Sequence, residues 1–119
     1  ALLEAVRSAA DKQPVIGLPR GAGGLVVDYA ERTGVNAVGL DTAIPLKRID
    51  AALPKGMPVQ GNLDPMRLVA GGSGMENRVR EIITAFKDRP HIFNLGHGVT
   101  PEVPIPHVES VLRTIRSMT

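Results

Sequence analysis

His97 stands between two glycines in the run His91-Ile92-Phe93-Asn94-Leu95-Gly96-His97-Gly98-Val99-Thr100-Pro101, directly after a stretch with the pattern of a buried strand. An imidazole donates or accepts a proton near neutral pH and, when charged, pairs with a carboxylate. Gly96 and Gly98 let the backbone turn sharply and come close to a ligand, so the ring is expected at a strand's end rather than packed on a face. The competing structural role is a ring bonded to a neighbouring loop carbonyl.

Other polar residues fall at comparable places. Arg20 lies in Pro19-Arg20-Gly21-Ala22-Gly23-Gly24, where a guanidinium could clamp a carboxylate or simply face solvent. The glycines beside it lack the GxGxxG spacing, and no Walker-type Lys-Ser/Thr follows, which makes a phosphate cradle a poor reading. Asp41 and Thr42 follow a second apolar run; Asp41 could bind substrate or cap the next loop. Gln60 and Asn62 alternate along the exit of a third. Both could face a pocket, or bond the backbone of adjacent strands. Asp64 before Pro65 predicts a helix N-cap with proline at the first helical position. Asn94 and Thr100 join His97 in the last such loop. His91 reads as a solvated residue preceding its strand, and His107 as a surface residue in the first turn of the last helix.

The elements that would position these groups alternate. Leu2, Leu3, Val6, Ala9 and Ala10 predict an amphipathic helix to about residue 12, starting abruptly, so that the true start is expected upstream. Four strand-helix units follow. Strands are predicted at 14–18, 35–40, 57–61 and 91–95; the first helix carries Leu25, Val26, Tyr29, Ala30 and Thr33 and stops at Gly34. The second carries Leu46, Ile49 and Leu53 between Pro45 and Pro54. The third is split by Gly71-Gly72-Ser73-Gly74, with a short helix from Met66 to Ala70 before the break and Val79, Ile82, Ile83 and Phe86 on a longer helix after it. The last carries Val108, Val111, Leu112 and Ile115 and begins at Pro104 or Pro106. Strict alternation implies parallel strands joined by right-handed crossovers, either as an open doubly wound sheet or as part of a (β/α)8 barrel. In both, the loops after the strands form the active face.

Composition narrows the class. With 119 residues, 43% hydrophobic and 3% aromatic, the chain predicts a single domain whose core is built from Val, Leu, Ile and Ala. Lys and Arg exceed Asp and Glu by 14 to 12 with no basic block, so nucleic acid is not the expected partner. Cysteine is absent, which excludes disulfides and thiolate metal sites and fits a reducing cytoplasm. No apolar run approaches the roughly 20 residues that cross a bilayer, so no membrane association is expected.

Gly61-Asn62-Leu63-Asp64-Pro65, together with Val38-Gly39-Leu40-Asp41 and Phe93-Asn94-Leu95-Gly96-His97-Gly98 in the same order, resembles the C-terminal part of the uroporphyrinogen decarboxylase family. The resemblance spans Pro14 to Met118 and about the last third of the family enzyme. It implies the C-terminal half of a (β/α)8 barrel that removes carbon dioxide from the four acetate side chains of uroporphyrinogen III, giving coproporphyrinogen III, with no metal or organic cofactor. His97 then matches the family's active-site histidine and Arg20, more loosely, a basic position. Gln60 and Asn62 join these two as candidate substrate-binding residues. The family's central aspartate, N-terminal arginines, and tyrosine and serine pocket residues have no counterpart, so the chain alone is expected to be inactive. The related corrinoid methyltransferases bind zinc through a His-x-Cys pair and another Cys; here the corresponding loop reads Leu18-Pro19-Arg20 and cysteine is absent. A non-catalytic half-barrel module is the other reading. Its open edges predict self-association, with a homodimer the expected state.

Overall fold

The structure, a computed structural model, describes residues 2–10 and 12–119. Helix α1 (Leu2–Ala10) leads into strand β1 (Ile16–Gly17), a 3₁₀ turn at Gly23–Leu25 and α2 (Val26–Thr33). Strand β2 (Ala37–Gly39), α3 (Leu46–Ala52), β3 (Val59–Gln60), α4 (Pro65–Ala70), α5 (Gly72–Ala85), β4 (His91–Ile92) and α6 (Ile105–Met118) follow. The positions predicted for the first helix at Ala1 and Asp11 lie outside the described residues. No helix among those described is long and apolar enough to cross a membrane.

All four strands are parallel and pair in sequential order, β1-β2-β3-β4. A doubly wound sheet reverses its order at a switch point. This sheet does not, so of the two predicted architectures the partial barrel is the one formed. Register shows how it is dressed. Gly17, Val38, Val59 and His91 align in one row, and Gly39, Gln60 and Ile92 in the next. Because side chains alternate across a strand, the first row faces the helices, where Val38 and Val59 are fully buried. The other face, toward the barrel axis, is bare at its two edges: Ile92 of the second row keeps 47% of its surface, and Ile16, one row earlier and paired with Ala37, keeps 42%. The core therefore sits between sheet and helices, where Val38, Leu40, Val59 and Leu63 meet Val26 and Ala30 of α2, Leu46 and Ile49 of α3, Met75, Val79 and Ile82 of α5, and Val111 of α6.

Several predicted boundaries shift. The strands are shorter than their apolar runs, although single bonds extend the pairing: Leu40 N–H donates to Gln60 O, Leu63 N–H to Asn94 O, and Leu63 bridges Leu95. Gly34 ends α2 with φ +67°, as predicted. Asp64 caps α4, its Oδ1 accepting from Met66 N–H at 2.8 Å with Pro65 at the first helical position, again as predicted. The predicted four-residue glycine break is shortened: Gly71, at φ +67°, ψ −159°, and Gly72, at φ +68°, leave the helical conformation, and α5, which begins at Gly72, continues through Ser73 and Gly74. Glycine lowers helix propensity by about 1 kcal/mol without forbidding the bonds, and burying Met75, Val79 and Ile82 outweighs that deficit. Pro104 is the N-cap of α6, so Pro106 falls inside its first turn. Of the predicted face of α6, Val111 enters the core, whereas Val108 and Leu112 stay exposed.

Candidate active site

The loops after β1, β2, β3 and β4 meet at Asp41. Its Oδ2 accepts from Gly21 N–H at 2.9 Å, and its Oδ1 accepts from Thr42 N–H at 2.6 Å and Thr42 Oγ1–H at 3.2 Å. His97 Nε2 lies 2.8 Å from the same Oδ1. The backbone oxygen of Asp41 accepts from Asn62 Nδ2 at 2.8 Å. One residue thus ties together all four strand exits. The sequence offered Asp41 as a substrate ligand or a local cap; the capping role is present, and the link to His97 goes beyond it.

Electrostatics follow from these bonds. The Gly21 amide, with help from Thr42 and His97, holds the Asp41 carboxyl below the usual carboxylate range, and burial opposes the shift. An ionised carboxylate only accepts, so the proton in the His97 contact belongs to Nε2. Proton exchange at His97 is thereby confined to Nδ1, which accepts when the ring is neutral and donates when it is charged. Aspartate orienting an imidazole in this way recurs in catalytic constellations on unrelated folds.

Beside the pair lies an open cavity of about 410 Å³, lined by Leu18, Arg20, Gly39, Gln60, Asn94 and His97 among others. Arg20 is exposed on its wall, and Gln60 reaches it from the inner row of the sheet. Asn62 behaves differently. It is 1% exposed, and its amide sits behind the loop, donating to Asp41 O and, at 3.5 Å, to Ile44 O. The structure therefore brings His97, Arg20 and Gln60 to one cavity and places Asn62 underneath it. Among the described residues, no three His, Asp or Glu converge to hold a metal.

The glycines flanking His97 play unequal parts. A Cβ at Gly96 would sit 2.5 Å from Thr42 N and 2.6 Å from Thr42 Cγ2, so the close approach Gly96 permits is to the chain's own Asp41 loop. Gly98 has open space around it. Gly96→Ala is expected to cost about 2 kcal/mol, because backbone must move to admit the methyl group. Gly98→Ala should cost little. Urea denaturation of both variants checks this, and equal losses would refute the packing argument.

Two histidines depart from expectation. His91 is not solvated at the strand's foot: it belongs to β4, packs its ring 5.1 Å from Phe86 and 6.1 Å from Phe93, and bonds Gly61 O through Nε2 at 2.7 Å. The helix-facing row of the sheet, which periodicity alone does not distinguish from the inner row, explains its burial. His107 is half-buried rather than on the surface, because its ring covers Gly71 and its Nδ1 bonds Leu68 O at 2.8 Å.

A sequentially ordered parallel sheet with an aspartate–histidine pair where its strand exits converge defines a partial (β/α)8 barrel carrying part of an enzyme-like site. Residues 1–118 match the family model for uroporphyrinogen decarboxylase (URO-D), and the chain belongs to that family. It is 59% identical over 104 residues to the uroporphyrinogen decarboxylase of Hyphomonas neptunium, an alignment covering 87% of this chain and 30% of that protein. The enzyme of the same name from Sphingopyxis alaskensis is 54% identical over 103 residues, covering 87% and 30% respectively. That from Maricaulis maris is 50% identical over 115 residues, or 97% of this chain and 33% of the relative. The chain thus spans about a third of the length of the curated relatives it matches.

Proposed function

We propose that this chain supplies the His97 side of a uroporphyrinogen decarboxylase active site, in a cofactor-free carboxy-lyase that converts uroporphyrinogen III to coproporphyrinogen III. The observation that carries the reading is His97, which is paired with Asp41 and opens onto the same cavity as Arg20 and Gln60. Each of the four steps replaces an acetate carboxylate with a proton. Protonation of the pyrrole lets the ring take up the electron pair as the bond to carbon dioxide breaks; the exocyclic carbon is then protonated to a methyl group and the ring gives back the proton it had accepted, so that each step consumes one proton overall. For such chemistry a protein need only hold carboxylates and place a proton. Arg20 suits the first task through its paired donors. His97 Nδ1 suits the second, with Asp41 fixing the ring. Gln60 offers an amide to substrate, and Asn62 supports the loop from beneath.

The chain alone is inactive in this reading, since one cavity wall carries one free arginine and one imidazole for a substrate with many carboxylates. The bare inner face at Ile16 and Ile92, with Leu18 at 51% exposure beyond β1, also favours self-association of the isolated chain, as a homodimer. The lack of cysteine accords with a cytoplasmic setting.

The test is to assay coproporphyrinogen formation by the chain alone and by the chain joined to the N-terminal two thirds of the Hyphomonas neptunium relative, with sedimentation of each. Product only from the joined, folded protein is expected. Turnover by the chain alone would overturn its incompleteness, and a folded joined protein without turnover would overturn the activity.

A further inference from the structure

We propose that His91 is a positioning residue for the Asp41–His97 pair, holding from the helix side of the sheet the strand exit on which Asp41 rests. The inference goes beyond the proposed activity, because it concerns how the pair is held and can be read without turnover.

The connection runs through contiguous bonds. From β3 to β4 the ladder passes from Val59 N–H to Pro90 O, from Gly61 N–H to Ile92 O and from Leu63 N–H to Asn94 O. The Gly61 carbonyl accepts from the His91 ring at 2.7 Å. That carbonyl belongs to the peptide group joining Gly61 to Asn62, so restraining it sets the direction in which Asn62 leaves the strand. Asn62 Nδ2 then donates to Asp41 O at 2.8 Å, and Asp41 Oδ1 holds His97 Nε2 at 2.8 Å. Little slack exists between these links. A Cβ at Gly61 would lie 2.8 Å from Leu40 O, immediately before Asp41, and Asn62 is 1% exposed.

Packing alone does not call for a histidine here. Phe86 and Phe93 flank the ring, and an apolar side chain would fill the same space without the desolvation cost of a buried polar edge. What the imidazole adds is a donor. A carbonyl can only accept, so Nε2 carries the proton. Burial also depresses the pKa of His91, the bond to Gly61 opposing it, which favours the neutral ring with this single donor.

Long-range ¹H–¹⁵N correlation of the imidazoles in the ¹⁵N-labelled chain tests the assignment directly. His91→Phe keeps an aromatic ring and removes the donor; His91→Gln restores an N–H at similar reach. In His91→Phe the His97 ring signals are expected to leave their native positions, with loss of the Nε2–H signal bonded to Asp41, while the far-ultraviolet circular dichroism stays native. In His91→Gln they should return. Native His97 signals in a folded His91→Phe chain would overturn the proposal, as would equal displacement in both variants. Should His91→Phe fail to fold, Asn62→Ala tests the next link: displaced His97 signals support the chain of bonds, and unmoved ones overturn it. Activity does not enter, so failure here is distinguishable from failure of the proposed function.

Discussion

Asp41→Asn is expected to lower turnover of the joined barrel about 100-fold, the order of loss that follows when a catalytic group is misplaced by about 1 Å. The carboxylate receives Gly21 N–H on one oxygen, and Thr42 N–H, Thr42 Oγ1–H and His97 Nε2–H on the other. An amide has one acceptor oxygen, and its NH₂ must then face a donor. Either the Gly21 loop or the His97 loop loses its anchor; the first carries Arg20, next to Gly21, and the second His97 to the wall of the same cavity. The sign of the accompanying pH dependence follows from the lowered pKa of Asp41, whose usual value is 3.8. A group depressed in the folded state adds stability above its unfolded pKa and loses it as pH falls through the folded value. The stability gap between the native chain and Asp41→Asn should therefore be full at neutral pH and close as the pH drops below 3.8. Urea denaturation across that range reads it. A gap that persists undiminished in strong acid would show that the ionised carboxylate is not what ties the loops.

At the opposite end of the sheet, Arg89→Met is expected to destabilise the chain by about 3 kcal/mol, lowering its thermal midpoint on the order of 10 °C. Arg89 precedes β4, and its side chain is 8% exposed. Its Nε bonds Asp50 Oδ1 at 2.6 Å, its Nη2 bonds Asp50 O at 2.7 Å, and its Nη1 reaches Met57 O at 3.1 Å and Pro54 O at 3.4 Å. One guanidinium thereby fastens the whole connection from α3 to β3. Methionine retains most of the apolar stem, so the loss reports the donors rather than the volume. Arg89→Lys should recover only part of it, because an ammonium cannot match a planar fork aimed at several oxygens. The far-end location predicts that the Asp41–His97 geometry survives, in keeping with barrels that keep stability at the strands' N-terminal face and chemistry at the other. Calorimetry of the two variants, with full recovery by lysine, would contradict this account.

Arg89 shows where sequence reading stops. Its partners lie 32 to 39 residues away, and nothing in its own neighbourhood distinguishes it from a solvent-facing cation. Asp41 was partly legible, since a strand ending in a polar residue beside a small-residue loop announces a place on the active face. That it would gather four loops was not, because three of its donors come from Gly21, Asn62 and His97, which lie up to 56 positions from Asp41 in the chain. His91 was misread for a related reason. A two-residue strand carries no periodicity of its own, and which of its faces meets the helices depends on register with Val59.

Sequence by itself determined the alternation of strands and helices, the Asp64 cap, the Gly34 stop, the absence of thiolate ligands from this chain and the position of His97 just beyond the last strand. These depend on local backbone preferences, on residue inventory or on motifs read in order along the chain. Tertiary structure alone decided that the strands pair in sequential order, that the inner face of the sheet lies bare at its two edges, and that Asn62 and His91 stand behind the site rather than in it or away from it. Those outcomes arise from hydrogen-bond register between distant segments, where displacement by one residue would exchange the two faces of a strand.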